Sequence, residues 1–158
     1  MHATGDHRRL LRPMRETDLR HVLHIERRSF SIPWSEATFR GLLRRQSAAL
    51  LVGEEAGEVL GYAVLWFAAD DAELGDMAVL PESRGRGLGR WLLDAALAEA
   101  ARRGAKTVYL EVRESNVAAR RLYERAGFRT AGVRADYYTQ PTEDAILMTR
   151  AVPPDSPR

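Results

Sequence analysis

The chain has 158 residues, a length that fits one domain with a substantial core. Hydrophobic residues make up 45% and charged residues 29%, ordinary values for a soluble globular protein, and the formal net charge is only +2. Zero cysteine excludes a disulfide scaffold, a thiol nucleophile and thiolate metal sites, and no metal is expected.

No apolar run approaches the length of a membrane span, and the basic start lacks a signal-peptide core, so a cytoplasmic protein with no membrane partner is expected. Lys106 is the sole lysine among 24 basic residues. Arginine pairs bidentately with phosphate and carboxylate, so one reading is nucleic-acid binding. Acidic residues are interspersed almost everywhere, which favours solvated helix faces instead. No platform of aromatic and basic residues is evident, so no direct nucleic-acid partner is expected.

Residues 1–9 are expected to form a flexible extension, 10–152 a single domain, and 153–158 a disordered tail. Residues 10–14 predict a short first strand. Thr17 and Asp18 stand where they can cap a helix that buries Leu19, Val22, Leu23 and Ile25. Phe30, Pro33 and Trp34 interrupt the pattern, since proline disfavours helix at Ile32. Ser35 then caps a second helix carrying Phe39, Leu42 and Leu43 inward.

Residues 48–54 and 59–69 flank a turn at Glu55, Ala56 and Gly57 and predict a hairpin. Residues 72–80 form the next strand. A glycine-rich loop leads into a long helix, with Leu88, Trp91, Leu92 and Ala95 on one face, ending near Arg103 with Gly104 just past it. Residues 107–112 predict a strand, Asn116 caps a short helix ending at Gly127, and residues 128–133 and 145–150 predict two last strands. The order β-αα-βββ-α-β-α-ββ predicts an α/β fold of the mixed (α+β) kind. Its centre is a mostly antiparallel sheet with helices covering its faces.

The loop Arg84-Gly85-Arg86-Gly87-Leu88-Gly89, followed by Arg90, is the strongest chemical signal. The first N–H groups of a helix have no intrahelical partner, and the helix dipole is positive there. Glycines let backbone approach a phosphate, and the three arginines add positive charge. The Gly and Lys spacing of a P-loop is missing, and the alternation of Gly85, Gly87 and Gly89 is tighter than a dinucleotide fingerprint. A solvated basic turn is the plain alternative.

Two further residues are candidates for chemistry. Glu111 lies on the opposite face of its strand from Val108, Leu110 and Val112. A partly desolvated carboxylate there is a candidate general base; a salt-bridged surface glutamate is the alternative. Tyr123 faces the sheet from its helix. It is either a core tyrosine with a satisfied hydroxyl or a proton donor, since a phenol stays protonated at neutral pH.

The form Arg84-x-x-Gly87-x-Gly89 resembles the pyrophosphate loop of the GCN5-related N-acetyltransferases, the GNAT superfamily. Asp76-Met77-Ala78-Val79, Leu110-Glu111-Val112-Arg113-Glu114-Ser115-Asn116, Leu122 to Phe128, Asp136-Tyr137-Tyr138 and Glu143 to Met148 follow in one order. With Ile25-Glu26, Phe30 and Pro33-Trp34-Ser35, this set resembles the RimI-type N-terminal acetyltransferases over residues 12–150. That resemblance implies a GNAT-like fold, acetyl-coenzyme A as co-substrate, and an acceptor protein's N-terminus, the alanine of a small-subunit ribosomal protein.

The resemblance also implies roles. Met77, Ala78 and Val79 would pair through their backbone with the pantetheine arm. Arg84, Gly85, Arg86, Gly87, Leu88, Gly89 and Arg90 would cradle the pyrophosphate. Asn116 would contact the coenzyme, Glu111 would be the base and Tyr123 the acid. Phe30, Pro33, Trp34, Tyr137 and Tyr138 would border the acceptor groove. Gly85 departs from the family, which has a larger residue there. A lysine or small-amine acceptor, and a coenzyme-binding module without transfer, remain alternatives. The chain is expected as a monomer or weak homodimer.

Overall fold

The computed structural model describes residues 8–153. The expected extension and tail otherwise lie outside the described residues. Arg9 already belongs to a strand.

Among the described residues, seven strands and four α-helices follow the expected order: β1 (Arg9–Pro13), α1 (Leu19–Ser29), α2 (Glu36–Leu43), β2 (Ala48–Glu55), β3 (Glu58–Ala68), β4 (Asp71–Val79), α3 (Leu88–Arg102), β5 (Thr107–Arg113), α4 (Val117–Arg125), β6 (Arg129–Tyr138) and β7 (Glu143–Ala151). The strands form one sheet in the order β1-β2-β3-β4-β5-β7-β6. Every neighbouring pair is antiparallel except β4 and β5.

Period-two alternation decides which side chains meet which helices. One core joins Leu93, Ala96, Leu97 and Ala100 of α3 to Val108, Leu110 and Val112 of β5 and Tyr123 of α4. The other, across the sheet, joins Leu19, Val22 and Ile25 of α1 and Phe39 of α2 to Leu50, Val52, Tyr62 and Val64.

Three local expectations are corrected. Asp18 stands at the N-cap of α1, but its side chain makes no capping bond to that helix, and Thr17 lies before it. Residues 16–18 form a turn of 3₁₀ helix, and the Asp18 carboxylate accepts from the Arg15 N–H at 2.7 Å and from Arg12 at 2.7 and 2.8 Å. The inward face of α3 is Leu88, Leu92, Leu93, Ala96, Leu97 and Ala100, while Trp91 and Ala95 are half-buried. The strand expected at residues 128–133 runs on to Tyr138. Asp136 takes φ +51° there, where the pairing with β7 shifts register. Aspartate tolerates the left-handed region, and the Asp144 carboxylate accepts from the Asp136 N–H at 2.9 Å.

The feature that creates the site is a parting of two strands. β4 and β5 pair only from Asp71 with Thr107 to Glu73 with Tyr109. Beyond that, β4 stays with β3 through Val79 opposite Gly61, and β5 stays with β7 through Arg113 opposite Ala145. A V-shaped split opens between Met77–Val79 on one side and Leu110–Arg113 on the other. A register shift in the β3–β4 pairing lies just before the split, near Gly75. A Cβ at Gly75 would stand 2.0 Å from the Trp66 ring, so only glycine lets that indole lie across β4.

Candidate active site

At the open end of the split, the glycine loop runs into α3. Gly85 and Gly87 take φ of +80° and +78°, the left-handed region that favours glycine, and open space surrounds the position of a Cβ at each. Gly87 is the cap of α3, so the N–H groups of Leu88, Gly89 and Arg90 head the helix without intrahelical acceptors. These donors, with room above them, fit a diphosphate.

The arginines are less free than their sequence suggests. Arg86 donates to both carboxylate oxygens of Glu55 at 2.7 Å, and Glu55 is only 7% exposed. Arg90 pairs with Asp94 at 2.9 Å. Arg84 donates to the Val79 carbonyl and the Ser29 hydroxyl, each at 3.2 Å. Two of the three arginines expected to add positive charge here are thus paired with carboxylates, Arg86 with Glu55 and Arg90 with Asp94. The backbone donors and the helix dipole remain suited to an anion.

Met77, Ala78 and Val79 border the split, hydrogen-bonded to β3 on one edge and with no ladder pairing to β5 on the other. An extended ligand with amide groups fits that open edge, as an added strand would. Asn116 caps α4, its side-chain oxygen accepting from the Ala119 N–H at 3.2 Å. Its amide N–H groups remain available as donors.

Glu111 and Tyr123 flank β5 from opposite faces. Tyr123 lies in the α3 side core, 9% exposed, with Phe128 at 5.8 Å between ring centroids. Burial, then the nearby Asp76 and Tyr138, hold its phenol above its ordinary pKa. It therefore keeps its proton at every physiological pH. Glu111 lies on the other face, its side chain 14% exposed, with Arg134 at 3.4 Å. The alternative of a salt-bridged glutamate is thus partly realised, through Arg134 rather than the Arg113 neighbourhood.

Tyr137 hydrogen-bonds to Glu111, which with partial burial raises its phenol pKa. Tyr138 is half-buried and pushed up to about 12, chiefly by burial and then by the Glu111 charge. The two rings meet edge to face at 5.1 Å. Neighbours in a regular strand point apart, so the irregular pairing at Asp136 is what lets them touch.

Phe30, Pro33 and Trp34 lie opposite, in the α1–α2 connection. Phe30 is 37% exposed, Pro33 is exposed, and Trp34 is half-buried between Phe39 at 5.4 Å and Trp66 at 6.0 Å. Arg113 spans the two walls. It donates to Ser31 at 3.2 Å, to the Thr139 and Pro141 carbonyls at 2.8 and 3.0 Å, and stacks over Tyr138 at 4.5 Å.

Sequence reasoning gave no role to Glu73, Glu26 or Asp76. Glu73, at the last paired position of β4, has its pKa raised by burial and by the charge of Glu111, and is hydrogen-bonded by Trp66. Glu26 and Asp76 are buried together, at 1% and 8% exposure. Carboxylates in an apolar stretch were the only available signal; their partners come from elements distant in the chain.

A sheet parted beside a glycine-headed helix, with a carboxylate and a phenol on opposite faces of the facing strand, is the architecture of an acyltransferase site. The acetyltransferase (GNAT) family model matches residues 19–128, and the chain belongs to that family of acetyl-coenzyme A-dependent N-acetyltransferases. It is 40% identical to the ribosomal protein bS18-alanine N-acetyltransferase of Escherichia coli K12, over 84% of this chain and 90% of that protein. The crystal structure of the ribosomal-protein-S18-alanine N-acetyltransferase from Escherichia coli superposes with a TM-score of 0.86 at 36% identity, covering 94% of this chain and 97% of that one. Ard1 from Thermoplasma volcanium gives 0.85 at 28% identity, over 92% and 98%.

Proposed function

We propose that the chain acetylates the N-terminal α-amine of a protein, the N-terminal alanine of a small-subunit ribosomal protein, by direct transfer from acetyl-coenzyme A. The Escherichia coli enzyme named above, similar along nearly its whole length, carries that activity in its name. The carrying observation in this chain is the split between β4 and β5, with Glu111 and Tyr123 on opposite faces of β5 beside it.

The donor supplies a thioester whose carbonyl the acceptor amine attacks. Leu88, Gly89 and Arg90 N–H groups hold its diphosphate, Met77–Val79 orient its amide arm, and Asn116 donates to it. Glu111 takes the amine proton, directly or through water. Tyr123 donates a hydrogen bond to the departing sulfur; a thiolate of pKa near 8.5 accepts it readily, and full proton transfer stays uphill because the phenol is the weaker acid. The groove between Phe30, Pro33, Trp34 and Tyr137, Tyr138 receives the peptide. An α-amine, with pKa of about 7.7 to 8.0, is far more often neutral at pH 7 than a lysine near 10.4.

The test is mass spectrometry of peptides incubated with acetyl-coenzyme A, varying the first residue and including N-blocked, lysine-bearing controls. Acetyl mass on free alanine-starting peptides is expected. Acetylation restricted to the blocked, lysine-bearing peptides refutes the α-amine assignment.

A further inference from the structure

We propose that Glu26, buried beneath the sheet, is a positioning residue for the acceptor: its carboxylate fixes the Trp34 backbone, and with it the Phe30 to Trp34 wall of the groove, against donor strand β4. The inference rests on the acceptor assignment above. Glu26 lies on the apolar face of α1, next to Ile25, at 1% exposure. One of its oxygens accepts from the Tyr62 hydroxyl of β3. The other leaves the helix–sheet interface and accepts from the Trp34 N–H at 2.9 Å.

Asp76, the residue before Met77, completes the cluster. Burial and the hydrogen bond and charge of Glu26 push its carboxyl far above the usual range, so Asp76 carries a proton at neutral pH and donates toward Glu26. Three elements and one loop thus converge on a single carboxylate: α1 bears it, β3 and β4 hold it, and the α1–α2 connection hangs from it.

A buried carboxylate is a poor way to gain stability, since a well-packed apolar side chain of the same volume does as well or better. What an apolar side chain cannot do is hold the Trp34 N–H. That bond governs a chain of contacts reaching the reaction centre. The Trp34 ring stacks on Trp66 at 6.0 Å, Trp66 hydrogen-bonds Glu73, and Glu73 adjoins Glu111. Releasing Trp34 moves the groove wall, whereas the glycine loop is tied to α1 separately, through Arg84 and Ser29.

The test pairs two isosteric variants in steady-state assays on an alanine-starting peptide. Glu26→Met keeps the volume and loses the acceptor. It is expected to raise peptide KM about tenfold or more, the worth of one charge-assisted hydrogen bond, with kcat within about twofold and acetyl-coenzyme A KM unchanged. Glu26→Gln keeps an oxygen for Trp34 and is expected to restore peptide KM. Hydrogen exchange at the Trp34 amide should quicken in Glu26→Met and not in Glu26→Gln, a readout independent of activity. Val22→Ala, a cavity in the same helix away from the loop, should lower the melting temperature and leave peptide KM alone.

If Glu26→Met does not fold, Glu26→Asp gives the same comparison, because the shorter carboxylate withdraws from Trp34. Unchanged peptide KM in the acceptor-deficient variant, or an equal rise in Val22→Ala, overturns the proposal. A wild-type protein that acetylates no α-amine refutes the acceptor assignment instead, and the exchange data then still decide whether Glu26 holds the loop.

Discussion

At the scale of single residues, protonation decides what each carboxyl can do. Asp76 is the clearest case. In the unfolded chain it loses its proton near pH 4, whereas in the folded protein burial and Glu26 keep the proton on to far higher pH. Between those limits folding takes up a proton, so this contribution is fully present below pH 4 and declines as pH rises. Asp76→Asn, neutral at every pH and still able to donate to Glu26, should therefore melt higher than wild type at pH 8 and close to it near pH 4. Thermal melts across that range check this; a gap that does not grow with pH contradicts it. Glu111→Gln and Tyr123→Phe belong to the same scale. Each should lower kcat about 100-fold, the usual worth of one positioned acid or base, with acetyl-coenzyme A affinity retained. Isothermal titration beside single-turnover kinetics separates the two quantities.

At the scale of elements, β1 and α1 are joined by one polar node. Arg12 donates to Asp18 at 2.7 and 2.8 Å and to Glu54 at 3.0 Å, tying β1 to the entry of α1 and to β2. The hydrogen bond from Arg12 is the main reason the Asp18 pKa is lowered. A lowered folded-state pKa means stability that is present above the unfolded value near 4 and is lost as pH falls through the folded value. Asp18→Asn should cost about 2 kcal/mol at neutral pH and flatten the acid limb of the stability curve, measured by urea unfolding from pH 2.5 to 7. The sequence displayed Asp18 as a helix-start residue, and that much was legible from its type. Its partner Arg12 was not, because pairing across six residues of non-helical chain follows no periodicity. The same limit hid the end of β6: alternation is visible to Val133, while the irregular pairing at Asp136 that brings Tyr137 onto Glu111 has no local pattern. Ser35 and Asn116 were legible as caps because a cap bonds N–H groups only three residues away, and both do so.

At the scale of the whole molecule, the sheet consists of two well-paired halves, β1–β4 and β5–β7–β6, joined by three residue pairs between β4 and β5. The order of elements that builds this sheet could be read from hydrophobic periodicity alone. The parting could not, since nothing local in β4 or β5 says where a parallel pairing stops. It matters because a donor held as proposed, along Met77–Val79 and at the α3 N-terminus, would fill the gap between the halves. Ligand that binds only the folded state stabilises by mass action, about 2.7 kcal/mol at a hundred times its Kd. For a chain of this size that is a rise of roughly 5–10 °C in melting temperature. The gain should be spatially selective: hydrogen exchange should slow in both β4 and β5 on binding, while the outer pairs β1–β2 and β6–β7 change little. Gly87→Ala, strained at its φ of +78° and set at the head of α3, should weaken binding and shrink both effects together. Calorimetric melts with and without acetyl-coenzyme A, run beside exchange mass spectrometry, measure the two. Protection confined to one side of the split would show that the ligand lies on a single half and does not bridge them.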